Sequence, residues 1–173
     1  MALYIYVKLL YLCTMKKKTT LELVEQTEKV SLYSISFAMD RTTEFERFLQ
    51  KFEQEASLNP NYQKIIYALS IIMDKGALER YFRPEGKMND DLCALPVESS
   101  TIRLYCLRIS DEILILGNGD VKSTQKYEED TKLYGYALDL QKFDMLLKKD
   151  IEDGVVIIEE KVLKNIEDKE YLI

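Results

Sequence analysis

A chain of 173 residues with no histidine has a restricted chemical repertoire. The commonest zinc sites are excluded, and so is every histidine-based triad or acid–base pair. Any catalysis falls to Lys, Arg, Tyr, Asp, Glu, Ser or Thr. The side chains of those types that the pattern brings together lie in one stretch, Ser100 to Lys126, STIRLYCLRISDEILILGNGDVKSTQK. It carries Arg103, Tyr105, Arg108, Lys122 and Lys126. Arg103 and Tyr105 are two residues apart, so on a strand they share a face, and Arg108 falls on the other. Arg83 and Lys87 sit on the segment entering this region, and Tyr127 follows its exit. Each has a plainer reading: Arg103 can pair with Glu98 or Glu112 across a hairpin, Lys122 can be a solvated lysine, and Arg83-Pro84-Glu85-Gly86 can be a turn. Gly117-Asn118-Gly119 lacks the third glycine and the following helix of a dinucleotide site. Acidic neighbours such as Asp90-Asp91 and Glu128-Glu129-Asp130 point in different directions and suit solvated charge or a helix N-terminus.

The stretch itself predicts two antiparallel strands. The first spans 102–109, the tip is Ser110-Asp111-Glu112, and the second spans 113–116 and leaves through Gly117-Asn118-Gly119. Both faces of the second strand are apolar, which predicts a central strand covered on both sides. Upstream, VSLYSISFAM (30–39) alternates as a strand, with Tyr33 breaking the alternation in the manner of a bulge. Asp40 or Thr42, with Glu46, caps a helix whose Phe45, Phe48, Leu49, Phe52 and Ala56 share one side. Asn59-Pro60 ends that helix or starts the next, and a second helix over 61–75 is closed by Gly76. Residues 77–91 are a long link, and 92–97 a short strand. A third helix covers 130–151, with Leu133, Leu140 and Leu147 at helical spacing, and 155–158 form a last strand.

Length and composition set the outer limits. One α+β domain over 30–158 accounts for the pattern, with 1–29 as an N-terminal extension and 159–173 as an acidic tail, partly disordered. Residues 1–14 are apolar but too short to span a bilayer, and the lysines at 16–18 follow rather than precede them, unlike a signal peptide. They are either an upstream extension from a misassigned start codon or an edge strand or short helix packed on the body. The net charge of −6 argues against a nonspecific polyanion binder. Most of it belongs to 150–173, where eight acidic residues meet three lysines. Cys13, Cys93 and Cys106, odd in number and widely spaced, suggest reduced buried thiols in a cytoplasmic protein.

The segment from Phe82 to Lys126 resembles the RelE/HigB-type toxins of bacterial toxin–antitoxin modules, in particular their phage-derived relatives. In that family a helical hairpin precedes a sheet with an x-L-R-x-Y strand, an apolar I-L-x strand and a K-x-T exit. The matching pieces here are Ile102-Arg103-Leu104-Tyr105, Ile113-Leu114-Ile115-Leu116 and Lys122-Ser123-Thr124, and the likeness extends over about residues 30–150. It implies a helical hairpin and a C-terminal helix packed on a small, mainly antiparallel sheet. It implies cleavage of mRNA, free or on the ribosome, with no metal or cofactor, or in the ParE branch gyrase inhibition. It also implies neutralisation by a helix-turn-helix antitoxin. Carried over residue by residue, Arg103, Lys122 and Tyr105 take the catalytic positions, and Arg83, Lys87, Lys126 and Tyr127 contact RNA. A non-catalytic protein-interaction module that keeps the same fold is the alternative. Its motivation is the acidic balance: seven basic against eight acidic residues over 79–127.

Overall fold

The computed structural model describes residues 16–37, 40–85, 90–122 and 130–173. Strands β1 (Lys18–Gln26) and β2 (Ser31–Phe37) come first. Helices α1 (Glu44–Phe52) and α2 (Pro60–Lys75) follow. Then come β3 (Arg83–Pro84), β4 (Leu92–Leu95), β5 (Ile102–Arg108), β6 (Ile113–Val121), α3 (Thr131–Glu152), β7 (Ile157–Glu159), β8 (Val162–Lys164) and β9 (Tyr171–Leu172). Seven strands form one sheet in the order β3-β4-β5-β6-β2-β1-β9, and β7-β8 form a separate hairpin. Neighbours run antiparallel except β2 and β6, which are parallel. The fold is therefore α+β on a mainly antiparallel sheet.

Alternation along the strands sends side chains to two cores. Leu32, Leu95, Leu104, Leu114 and Leu116 meet the Phe45, Phe48, Phe52 and Ile65 face of the α1–α2 pair. Tyr33, Ala94, Tyr105, Leu107 and Ile115 meet Leu133, Leu140, Phe143 and Leu147 of α3, with Val156, Leu163 and Tyr171 from the C-terminal segment. Helices thus cover both faces. The central strand β6 is apolar on both sides because it is buried on both sides.

The caps explain where the helices begin. Thr43, next to the expected Thr42, is the N-cap of α1: Glu46 N donates to Thr43 Oγ1 at 3.2 Å and Thr43 N donates to Glu46 Oε2 at 2.7 Å. Asp40 instead accepts from Thr42 N at 3.0 Å. Asn59 caps α2, with Pro60 at its first position, and Asp130 caps α3.

Four expectations change. Residues 18–26, placed in an extension, are the strand β1, because Leu21 reaches the α3-side core while its neighbours stay polar. The bulge falls on β1, between Leu23 and Glu25, and β2 is regular at Tyr33. The acidic tail is folded: β7 and β8 pair, and β9 pairs with β1. Gly117-Asn118-Gly119 is no exit turn. β6 continues to Val121, and Gly117 and Asn118 together face Tyr105 as a bulge between the Cys106–Leu116 and Leu104–Gly119 pairs. A Cβ on Gly117 would lie 2.6 Å from Leu140 Cδ1, so its absence lets α3 close on the sheet. Residues 1–14, and with them Cys13, lie outside the described residues.

Candidate functional site

Three of the seven residues singled out from the sequence converge. Arg83 on β3 is paired with Ala94 on β4, and Ala94 with Tyr105 on β5. Cross-strand partners share a face, and Arg103 lies two residues from Tyr105, so Arg83, Arg103 and Tyr105 all project toward the α3 side of the sheet. Arg103 is only 4% exposed. Its Nη1 donates to the carbonyls of Ser100 at 2.9 Å and Ile102 at 3.2 Å. It does not make the cross-hairpin pairs with Glu98 or Glu112 that its position allowed. Burial, and after it the Arg83 guanidinium, lower its pKa from the ordinary arginine value, with Glu85 opposing. Arg83 Nε stands 3.2 Å from Glu85 Oε1. This corner of the sheet thus holds two guanidiniums and a carboxylate.

Lys122 follows the last residue of β6, and its backbone N donates to Thr101 O at 2.6 Å, which ties the sheet exit to the start of β5. Tyr105, expected at a catalytic position, is 1% exposed and packs in the core beneath α3. Lys87, Lys126 and Tyr127 lie outside the described residues. Arg108 is on the opposite face, as the alternation requires, where Nε donates to Ala77 O at 2.7 Å and the guanidinium pairs with Asp111.

Two polar clusters were not visible in the sequence. At the bulge, Lys51 of α1 donates from Nζ to Asn118 Oδ1 at 2.7 Å, Gly119 O at 2.8 Å and Tyr136 Oη at 2.8 Å. Asn118 in turn donates to Glu44 at 2.8 Å, and Asp120 lies 3.5 Å from Lys51 and 3.2 Å from Lys132. Burial lowers the Lys51 pKa despite Asp120, and burial with the Asp120 charge raises that of Tyr136. The available signal was a Gly-Asn-Gly inside an apolar strand, the mark of a bulge as readily as of a turn. Its partner Lys51 could not be named without the packing of α1 on β6.

The second cluster joins the entry of β4 to α3. Asp91 N donates to Asp144 Oδ2 at 3.2 Å, Lys148 Nζ reaches Asp144 at 2.8 Å and Asp91 at 3.2 Å, and Gln141 donates to Asp90 at 2.8 Å. Burial and the neighbouring Asp144 charge raise the Asp91 pKa to about 6, against the pull of Lys148. Among the described residues no group of three or more Cys, Asp or Glu is arranged to hold a metal. Nor is any helix there long and apolar enough to cross a membrane.

No protein-family model, curated protein or solved structure matches the chain.

Proposed function

We propose that the chain is a RelE/HigB-like toxin of a toxin–antitoxin pair, a metal-independent endoribonuclease acting on mRNA and held in check by a helix-turn-helix antitoxin. The observation that carries this reading is the pairing of Arg83 and Arg103 at one sheet corner. Arg83 and Arg103 project from one face of the sheet, and with Glu85 paired to Arg83 the three side chains carry a net positive charge that an anion such as a phosphodiester neutralises. Arg103, held by two backbone carbonyls, is the fixed cation, and Arg83, nearer solvent, is the one that meets substrate. In the reaction the ribose 2′-OH attacks the adjacent phosphorus, the bond to the 5′-oxygen breaks, and the leaving oxygen takes a proton. Arginines at this corner would stabilise charge growing on the phosphoryl oxygens. On this reading Glu85, ion-paired to Arg83, would take the 2′-OH proton.

Inducible expression in a bacterial host, with growth and bulk mRNA followed over time, tests this. Growth arrest with loss of mRNA is expected, together with relief of both by Arg83→Ala with Lys122→Ala. Arg103→Lys, which keeps the buried charge, separates folding from chemistry. Arrest with intact mRNA would move the assignment to the gyrase-inhibiting branch. Absence of arrest from folded protein would sink the toxin reading. The non-catalytic protein-interaction module is then left, favoured by a separate observation: helices cover both sheet faces and bury Arg103 and Tyr105.

A further inference from the structure

The outer edge of β1 is unfinished. Lys17 exchanges two backbone hydrogen bonds with Ile173, N to O at 2.8 and 3.0 Å, and β9 pairs with β1 only at Lys18 and Thr19. β9 goes no further because the chain turns away at Asp168, which has a left-handed φ of 60°. In an antiparallel ladder alternate residues point their N–H and C=O groups to the same side. The groups of Leu21 and Leu23 therefore face outward, and no described residue pairs with them. Leu23 and Val24, at 53% and 37% exposure, add apolar surface beside them.

This edge borders an open groove of about 790 Å³ whose charged lining is Glu22, Asp40, Glu46, Asp168, Glu170 and Arg41. Asp40 is matched by Arg47 and Glu170 by Lys18. Glu22, Glu46 and Asp168 then stand against Arg41, and the groove is acidic. A protein edge of this kind is usually blunted by lysine, proline or a covering segment. Here the described protection is the bulge at Val24.

We propose that β1 is a docking edge for an extended, lysine- or arginine-rich segment of a partner protein, which adds as a strand beside Leu21 and Leu23. The partner's backbone completes about four hydrogen bonds at these two residues. Its basic side chains meet Glu22, Glu46 and Asp168, and its apolar ones cover Leu23. A second copy of this chain fits worse, because two β1 edges would bring Glu22 and Glu25 of each copy together. The inference stands apart from the RNA reading, since none of these residues belongs to the arginine corner.

The test uses the full chain and an acetylated, amidated heptapeptide of alternating lysine and valine. Backbone NMR shifts at 20–25, and binding at least about tenfold tighter than for the glutamate–valine counterpart, are the expected result. N-methylation of alternate peptide amides should abolish binding. Leu23→Pro should abolish it too, and should fold, because the lost N–H points to the free edge. Glu22→Lys gives an independent check that leaves the backbone intact, and should reduce affinity at least about tenfold. Equal binding of the N-methylated or acidic peptide would overturn the proposal. So would shifts confined to other surfaces, or dimerisation of the chain through β1. A gain in affinity on removing residues 1–15 would assign the edge to the chain's own N-terminus and overturn it as well.

Discussion

Asp91 is the described carboxyl group most out of its ordinary range, and the reason is local. Its side chain is partly buried at the start of β4, beside Asp144, a carboxylate 1% exposed on α3 whose Oδ1 has no hydrogen-bond partner. One cation, Lys148, reaches both aspartates. Placing two negative charges there costs more than the lysine returns, so the folded protein holds a proton on Asp91 up to about pH 6. The folded pKa lies above the unfolded one, so the folded state binds more protons between about pH 4 and 6. Stability contributed by this group is therefore present below about pH 4 and is lost as pH rises through 6. Asp91→Asn removes the penalty. Its unfolding free energy from urea titration should match that of the parent protein at pH 4 and exceed it at pH 7, by about 1 kcal/mol once solvent screening is allowed for. Equal free energies at both pH values would mean that Lys148 neutralises the pair.

At the scale of elements, two glycines make opposite predictions. A Cβ on Gly119 would lie 1.9 Å from Arg103 O, inside the β5–β6 ladder that shapes the arginine corner. Gly119→Ala must push two central strands apart, and a loss of at least about 3 kcal/mol is expected. Gly135, in α3, has nothing within 4 Å of its Cβ position. Gly135→Ala should raise stability by about 0.5–1 kcal/mol, because alanine has less backbone freedom to lose in a helix. Thermal unfolding of the two variants checks both signs.

The same elements show what was legible beforehand. The β5–β6 hairpin, the capped α1–α2 pair and α3 could be read because each signal is local: apolar alternation, Asn59-Pro60, Asp130. The shared face of Arg103 and Tyr105 followed from period two alone. β1 could not be read, since its buried residues are one threonine and one leucine, Thr19 and Leu21; nor could the parallel β2–β6 pairing, which is non-local. The burial of Tyr105 depended on α3 crossing the sheet, and the Lys51 network on α1 meeting the β6 bulge. Neither leaves a mark on the residues themselves.

At the scale of the whole molecule, the C-terminal residues decide whether the α3-side core is closed. They read as a charged tail because acidic residues dominate 150–173. Between those charges sit Leu163, Ile166, Tyr171 and Ile173, all buried. Tyr171 meets Phe143 edge-on, with ring centroids 5.0 Å apart. Lys169 pairs with Asp150 at 2.8 Å, and Ile173 exchanges backbone bonds with Lys17. Removing 165–173 exposes one side of Phe143 and discards three buried side chains, Ile166, Tyr171 and Ile173. At roughly 1.5–3 kcal/mol each for such side chains, the loss approaches the 5–15 kcal/mol by which domains are typically stable. The truncated chain should therefore melt at least about 10 °C lower or fail to accumulate in folded form. The midpoint by circular dichroism measures this. An unchanged midpoint would mean that the segment is a solvated tail after all, and that β1 is an edge along its whole length.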